Sequence, residues 1–224
     1  MTLQEKLDAF RLDFESGNPP YNAPKAVVEI MRRATDELIA SGAAKNALKT
    51  GDTAPEFALS DQDGNVLTSA ELLARGPLIV SFYRGVWCPY CNMELKALEE
   101  ALLRFEAAGA ALVAISPQNQ TNSRKSVRDN GVTFPILSDP GNETAAAFGI
   151  RFKLPDYLAD LYGRFGNDLP AINGDASWTL PMPARFVIGT DRIIRYAEVN
   201  PDYTRRPEPL DLLPALRDEA IAAE

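Results

Sequence analysis

The sequence predicts an α/β protein in which a mixed central sheet is flanked by helices on both faces and preceded by an N-terminal helical extension. Three observations lead there. Short apolar runs of buried-strand type alternate with helix-forming segments through the middle of the chain. Turn-centred pairs of short strands bracket that middle. The first 49 residues carry apolar positions at helical spacing and no strand pattern.

Within residues 1–49, Leu3, Leu7, Phe10 and Phe14 recur at helical spacing, and Gly17-Asn18-Pro19-Pro20 breaks the segment. A second stripe, Val27, Ile30, Met31, Leu38 and Ile39, ends at Ser41-Gly42. The remaining residues, 50–224, form the main domain. Phe57-Ala58-Leu59 and Val66-Leu67 flank the turn sequence Asp61-Gln62-Asp63-Gly64 and predict a hairpin. Leu78 to Tyr83 reads as a buried strand, Met93 to Glu100 as a strong helix, and Ala110 to Ile115 as a second buried strand. Thr121 to Asn130 is a polar helix, Ile136-Leu137 a short strand, and Glu143 to Phe148 a short helix. Residues 151–180, rich in Gly, Pro and Asp, interrupt the pattern before the last hairpin, and long insertions of that kind tend to be functional or to line a site. A second hairpin joins Phe186 to Gly189 with Ile193 to Ala197, and Leu210 to Ala222 reads as a terminal helix.

Composition narrows the function. Of 224 residues, 46% are hydrophobic and 24% charged, enough for a core without staples. The net charge of −8 argues against nucleic acid and anionic membranes as partners. No apolar run reaches 18 residues, and the start, Met1-Thr2-Leu3-Gln4-Glu5-Lys6, lacks the basic and apolar regions of an export signal. A cytoplasmic protein is expected. Histidine is absent, which removes Ser-His-Asp and Cys-His catalysis together with the commonest zinc ligand. No metal or cofactor is expected.

The two cysteines, Cys88 and Cys91, lie three positions apart where a buried strand gives way to a helix. Unpaired amides at a helix N-terminus stabilise a thiolate and lower its pKa. Pro89 suits the first turn, where its missing N–H costs nothing. The offset brings both sulfurs to one side, close enough to bridge. Such a pair can attack a disulfide or a peroxide and then resolve the product internally.

Trp87-Cys88-Pro89-Tyr90-Cys91 resembles the redox motif of the thioredoxin superfamily. Gly51 to Phe57, Phe134 to Pro140, Ala147 to Ile150 and Pro183 to Ile188 resemble segments of the peroxiredoxin (alkyl hydroperoxide reductase/thiol-specific antioxidant) family. Asn200 to Arg206 resembles its CxxC-containing subgroup. The resemblance spans roughly residues 50 to 220. It implies a thioredoxin fold, a hydroperoxide substrate, a thioredoxin- or glutaredoxin-like reductant and a homodimer. Against the family's Pro-x-x-x-Thr-x-x-Cys, this chain has Arg84 for the proline, Cys88 for the threonine and Cys91 for the peroxide-attacking cysteine. A thioredoxin-type reading reverses the roles, with Cys88 attacking and Cys91 resolving. Both stay open.

The resemblance also nominates supporting residues. Pro183 stands where thioredoxin-like proteins carry a cis-proline facing the motif. Arg185 is the candidate for the family's thiol-activating arginine, displaced by two positions and so about 7 Å along a strand but on the same face. Arg84 is the other candidate cation, and Trp87 is expected to shield the sulfurs. The strand before the motif offers Ser81 and no buried acid. Asp52, Glu56 and Glu94 are read as solvated or capping, and Arg205-Arg206 as a solvated face. Two further activities follow from the same pair: thiol–disulfide exchange on protein substrates, and a non-enzymatic redox sensor.

Overall fold

A computed structural model of the chain describes residues 1–216. Two helices lead, α1 (Leu3–Glu15) and α2 (Lys25–Ser41). Thr2 and Glu5 cap α1 reciprocally, and Gly42 closes α2 in the left-handed conformation that glycine adopts without strain. The main domain runs β1 (Ala58–Ser60), β2 (Val66–Thr68), α3 (Ser69–Leu73), β3 (Leu78–Phe82), α4 (Pro89–Ala107), β4 (Ala111–Ser116), α5 (Gln120–Asn130), β5 (Ile136–Ser138) and α6 (Glu143–Ala147). Then come β6 (Arg151–Lys153), α7 (Asp156–Arg164), α8 (Leu169–Asn173), β7 (Thr179–Pro181), β8 (Ala184–Ile188) and β9 (Ile194–Val199).

Seven strands form one mixed sheet in the order β2-β1-β5-β4-β3-β8-β9. β3, β4 and β5 are parallel, and β8 joins β3 antiparallel. Strand β3 is buried throughout, and β4 from Leu112 onward, because helices cover both faces. Alternation along β3 sends Leu78, Val80 and Phe82 into the core beneath α3 and α6, and Ile79 into the core beneath α4. Leu3 and Leu7 of α1 seal the α4 core, packing with Leu95, Leu98 and Phe105. Val27, Ile30, Met31 and Ala34 of α2 pack with α7 and α8 in a third cluster.

Every element expected between residues 57 and 150 is present. The 151–180 insertion is not loop but a folded unit: β6 and β7 pair antiparallel as a separate two-stranded sheet around α7 and α8. The expected terminal helix starts with a 3-10 turn, Pro209–Leu212, and helix to Leu216; its remainder lies outside the described residues. Among the described residues no helix is long and apolar enough to cross a membrane, and no cluster of His, Cys, Asp and Glu is arranged to hold a metal ion.

Candidate active site: a buried dithiol between two arginines

β3 ends at Phe82, and the chain reaches α4 through a turn held by side chains from neighbouring elements. The Val86 N–H donates to Gln118 Oε1 (3.0 Å), and Asn92 Nδ2 donates to the Val86 carbonyl (2.7 Å). Gln118 is itself fixed by donating to Tyr83 Oη (2.7 Å) and Ser126 Oγ (2.9 Å). Gly85 has φ +146°, and a Cβ there would stand 2.5 Å from Trp87 Nε1. The turn therefore requires glycine.

Cys88 is the N-cap of α4, its extended backbone handing over to Pro89 in the first turn. Cys91 follows inside that turn, and the two sulfurs lie close enough for each to shift the acidity of the other. Both are free thiols, Cys88 only 1% exposed and Cys91 fully buried. Burial alone would raise Cys88. The hydrogen bonds from the Cys91 thiol and backbone and the charges of Arg84 and Arg206 outweigh it, bringing Cys88 down to about 6. Cys91 moves the other way: burial and the neighbouring Cys88 sulfur push it well up. Of the two sulfurs, Cys88 is thus the more acidic.

Arg84 is 3% exposed and sits over three rings, 4.2 Å from the Tyr203 centroid, 4.7 Å from Trp87 and 5.8 Å from Tyr162. Its Nη2 donates to Tyr162 Oη, and its Nε is buried without a partner. Trp87 meets Tyr162 edge-on at 5.2 Å, so its ring closes over the arginine as well as beside the thiols.

Beneath the dithiol lies a second charged group. Glu94, one helical turn beyond Cys91, is 1% exposed. Its Oε1 accepts from Arg185 Nε (2.8 Å), and its Oε2 accepts from Arg206 Nε. Arg206 Nη2 in turn reaches Cys91 Sγ at 3.7 Å. Burial would raise Glu94, but Arg206 and Arg185 hold it below the ordinary carboxylate range. Glu198 stands opposite Arg185 across the β8–β9 pair, and burial with Glu94 nearby pushes its carboxyl up to about 7.

Four expectations change. Glu94 and Arg206, read as solvated, are buried partners of the site; Arg206 closes the Asn200–Arg206 segment that resembles the CxxC-containing subgroup, but nothing there separates it from the exposed Arg205, and it comes from a loop 115 residues beyond Cys91. Arg185 is fully buried and salt-bridged to Glu94, so it reaches the dithiol only through that carboxylate. The Met182–Pro183 peptide is trans, since the only cis bond among the described residues is Pro19–Pro20. The Met182 N–H donates to the Ile150 carbonyl and the Pro183 carbonyl accepts from Asn200, so the extended chain passes directly from β7 into β8. A buried acid is present after all, on α4 and not on the strand. Arg205 is exposed, as read.

The N-terminal helices complete the site. A cavity of about 550 Å³ opens over Cys88, walled by Phe10 and Phe14 of α1, Val28 and Met31 of α2, Trp87 and Tyr203. A neighbouring cavity of about 450 Å³ shares Met31, Arg84, Tyr162 and Tyr203 and reaches Pro183. Cys91 lines neither.

A dithiol at the start of a helix that follows a central strand of such a sheet defines a thioredoxin-superfamily protein. Residues 50–197 match the AhpC/TSA family, and the chain belongs to that family. It is 39% identical over 103 residues to Rv2521 of Mycobacterium tuberculosis, covering 46% of this chain and 64% of that one. It is 27% identical over 146 residues to the chloroplastic peroxiredoxin Q of Oryza sativa subsp. japonica, covering 65% of this chain and 57% of that one. The chain thus spans less than two thirds of the length of these relatives. Among solved structures, peroxidoxin BcpB from Mycobacterium tuberculosis superposes with a TM-score of 0.60 at 24% identity, over 78% of this chain and 97% of that one.

Proposed function

We propose that the protein is a thiol-dependent peroxidase that reduces hydroperoxides through a Cys88–Cys91 dithiol/disulfide cycle. One observation carries the assignment of roles: Cys88, the sulfur lowered to about 6, is the one that faces a cavity, while the raised Cys91 is sealed below it. The Cys88 thiolate attacks the near oxygen of the peroxide. The O–O bond breaks, the far oxygen leaves as alkoxide or hydroxide and takes a proton, and Cys88 becomes a sulfenic acid. Arg84, buried beside the thiolate with an unpartnered Nε, is suited to stabilise the charge developing on the leaving oxygen. Cys91 then condenses with the sulfenic acid, forming the disulfide and releasing water. Arg206 steadies Cys91 as its proton departs, and Glu94 and Arg185 position Arg206. Trp87 and Pro183 are wall residues in this scheme.

In this reading residues 50–224 are the catalytic domain and residues 1–49 a helical extension that walls the site. The setting proposed is the cytoplasm, where a lone pair of cysteines three positions apart is more often redox-active than a structural staple. The family resemblance implies a homodimer, which sedimentation of reduced and oxidised protein reads directly. Exchange with protein disulfides is less favoured, because Cys88 is 1% exposed beneath the N-terminal helices.

Rapid mixing of reduced protein with one equivalent of hydrogen peroxide, followed by tryptophan fluorescence, tests the function. Oxidation orders of magnitude faster than that of a free thiol is expected. Oxidation at the rate of a free thiol removes the peroxidase reading.

A further inference from the structure

The cavity over Cys88 also bears on what reopens the disulfide. Any reductant must bond to one of the two sulfurs. Cys91 is fully buried, so the point of attack is Cys88, and its opening is the cavity of about 550 Å³. That volume is of the size that encloses small ligands. A protein donor would have to bring its own sulfur past α1 and α2, and these helices are tied down. The Leu3 N–H donates to Glu208 Oε1 (2.6 Å), and the Arg206 N–H donates to Gln4 Oε1 (2.8 Å). Leu3 and Leu7 are buried in the α4 core, and Phe10 meets Tyr90 edge-on at 5.0 Å. Arg32 of α2 pairs with Glu15 of α1, and Tyr157 Oη donates to Glu37 on α2.

The lining is not wholly apolar: Arg11, Arg32, Glu15, Asp36 and Asp202 also border the cavity, with Arg32 paired to Glu15 and Arg11 to Asp8.

We propose that the reductant that meets Cys88 is a low-molecular-weight thiol, with any protein dithiol acting one step upstream on the disulfide of that small thiol. This inference rests on the dithiol cycle proposed above. The thiolate bonds to Cys88 Sγ and the Cys88–Cys91 bond breaks. The electron pair goes to Cys91, which faces Arg206 and takes up a proton. A second thiolate attacks the donor sulfur of the mixed disulfide and frees the Cys88 thiolate. Two small thiols are oxidised to one disulfide as one protein disulfide is reduced. The donor is thereby selected by access, through helices that lie outside residues 50–197 and so outside the family match.

The test oxidises the full-length protein with diamide, so that it does not depend on peroxidase activity, and follows thiol recovery with reduced glutathione or with thioredoxin at equal concentration. Reduction by glutathione at least tenfold faster than by thioredoxin is expected, together with a fivefold or greater slowing by glutathione in Met31→Trp, which narrows the cavity. Thr35→Trp serves the same purpose if Met31→Trp folds poorly. Thioredoxin matching or exceeding glutathione would overturn the proposal. So would glutathione reduction that is fast but unchanged in the narrowed variants. A parallel oxidation with hydrogen peroxide separates the two readings: diamide-oxidised protein that behaves as expected while peroxide is ignored would retain this inference and remove only the peroxidase.

Discussion

At the scale of single residues, the site works by making two chemically identical side chains unequal. Cys88 and Cys91 share a helix turn, yet hydrogen bonds from Cys91 and the field of Arg84 lower one, while burial beside that sulfur raises the other. The reactivity of Cys88 toward a small alkylating agent is therefore expected to rise as pH passes through about 6 and then to level off. Arg84→Met removes a lowering charge, so the midpoint should move up toward the ordinary thiol value of 9.0; the pH profile of alkylation measures it. Glu94 is the opposite kind of residue, a carboxylate whose removal leaves two buried guanidinium groups uncompensated. Glu94→Gln is expected to cost about 3–5 kcal/mol in a denaturant titration. Glu198 carries a raised carboxyl, so the folded state binds its proton more tightly than the unfolded one. Its contribution to stability is present below its ordinary value of 4.5 and is lost as pH rises toward about 7. Glu198→Gln should flatten the fall of melting temperature across that window.

At the scale of elements, the strand–turn–helix unit that presents the dithiol was the most legible part of the chain. An apolar run, a glycine, a Trp-Cys-Pro sequence and a helix former follow one another with no ambiguity of period. The turn's glycine is not interchangeable. Gly85→Ala combines positive φ with a clash against Trp87 and should cost about 1–3 kcal/mol, seen as lost stability and altered tryptophan emission. The 151–180 segment was illegible because its elements are short and its polar turns dominate the composition. Helices α7 and α8 are fixed by packing against α2, a long-range contact that no local pattern encodes. The same holds for Arg206. It sits in a loop, beside an arginine that is solvated, and its burial depends on Glu94 from α4. Glu94 itself carried a faint signal: it lies three positions after Cys91, on the face of α4 that includes Leu95 and Leu98.

At the scale of the whole molecule, the N-terminal helices and the family domain build the site jointly. The domain supplies the sheet, the dithiol and the buried Arg185–Glu94–Arg206 group. The helices supply a wall over Cys88, with Phe10 and Phe14 of α1 and Val28 and Met31 of α2 bordering the cavity above it. Their hold on the domain should be measurable as global stability: Leu7→Ala, which empties a fully buried position between α1 and α4, is expected to cost about 2–5 kcal/mol. The account as a whole turns on Cys88 being the attacking sulfur. The most direct measurement treats Cys88→Ser and Cys91→Ser with limiting hydroperoxide and locates sulfenic acid by mass spectrometry after trapping. The account predicts rapid, quantitative sulfenic acid on Cys88 in Cys91→Ser and only slow oxidation of Cys88→Ser. Rapid sulfenic acid on Cys91 in Cys88→Ser, with Cys91→Ser inert, would contradict it and place the attacking sulfur one turn deeper in the helix.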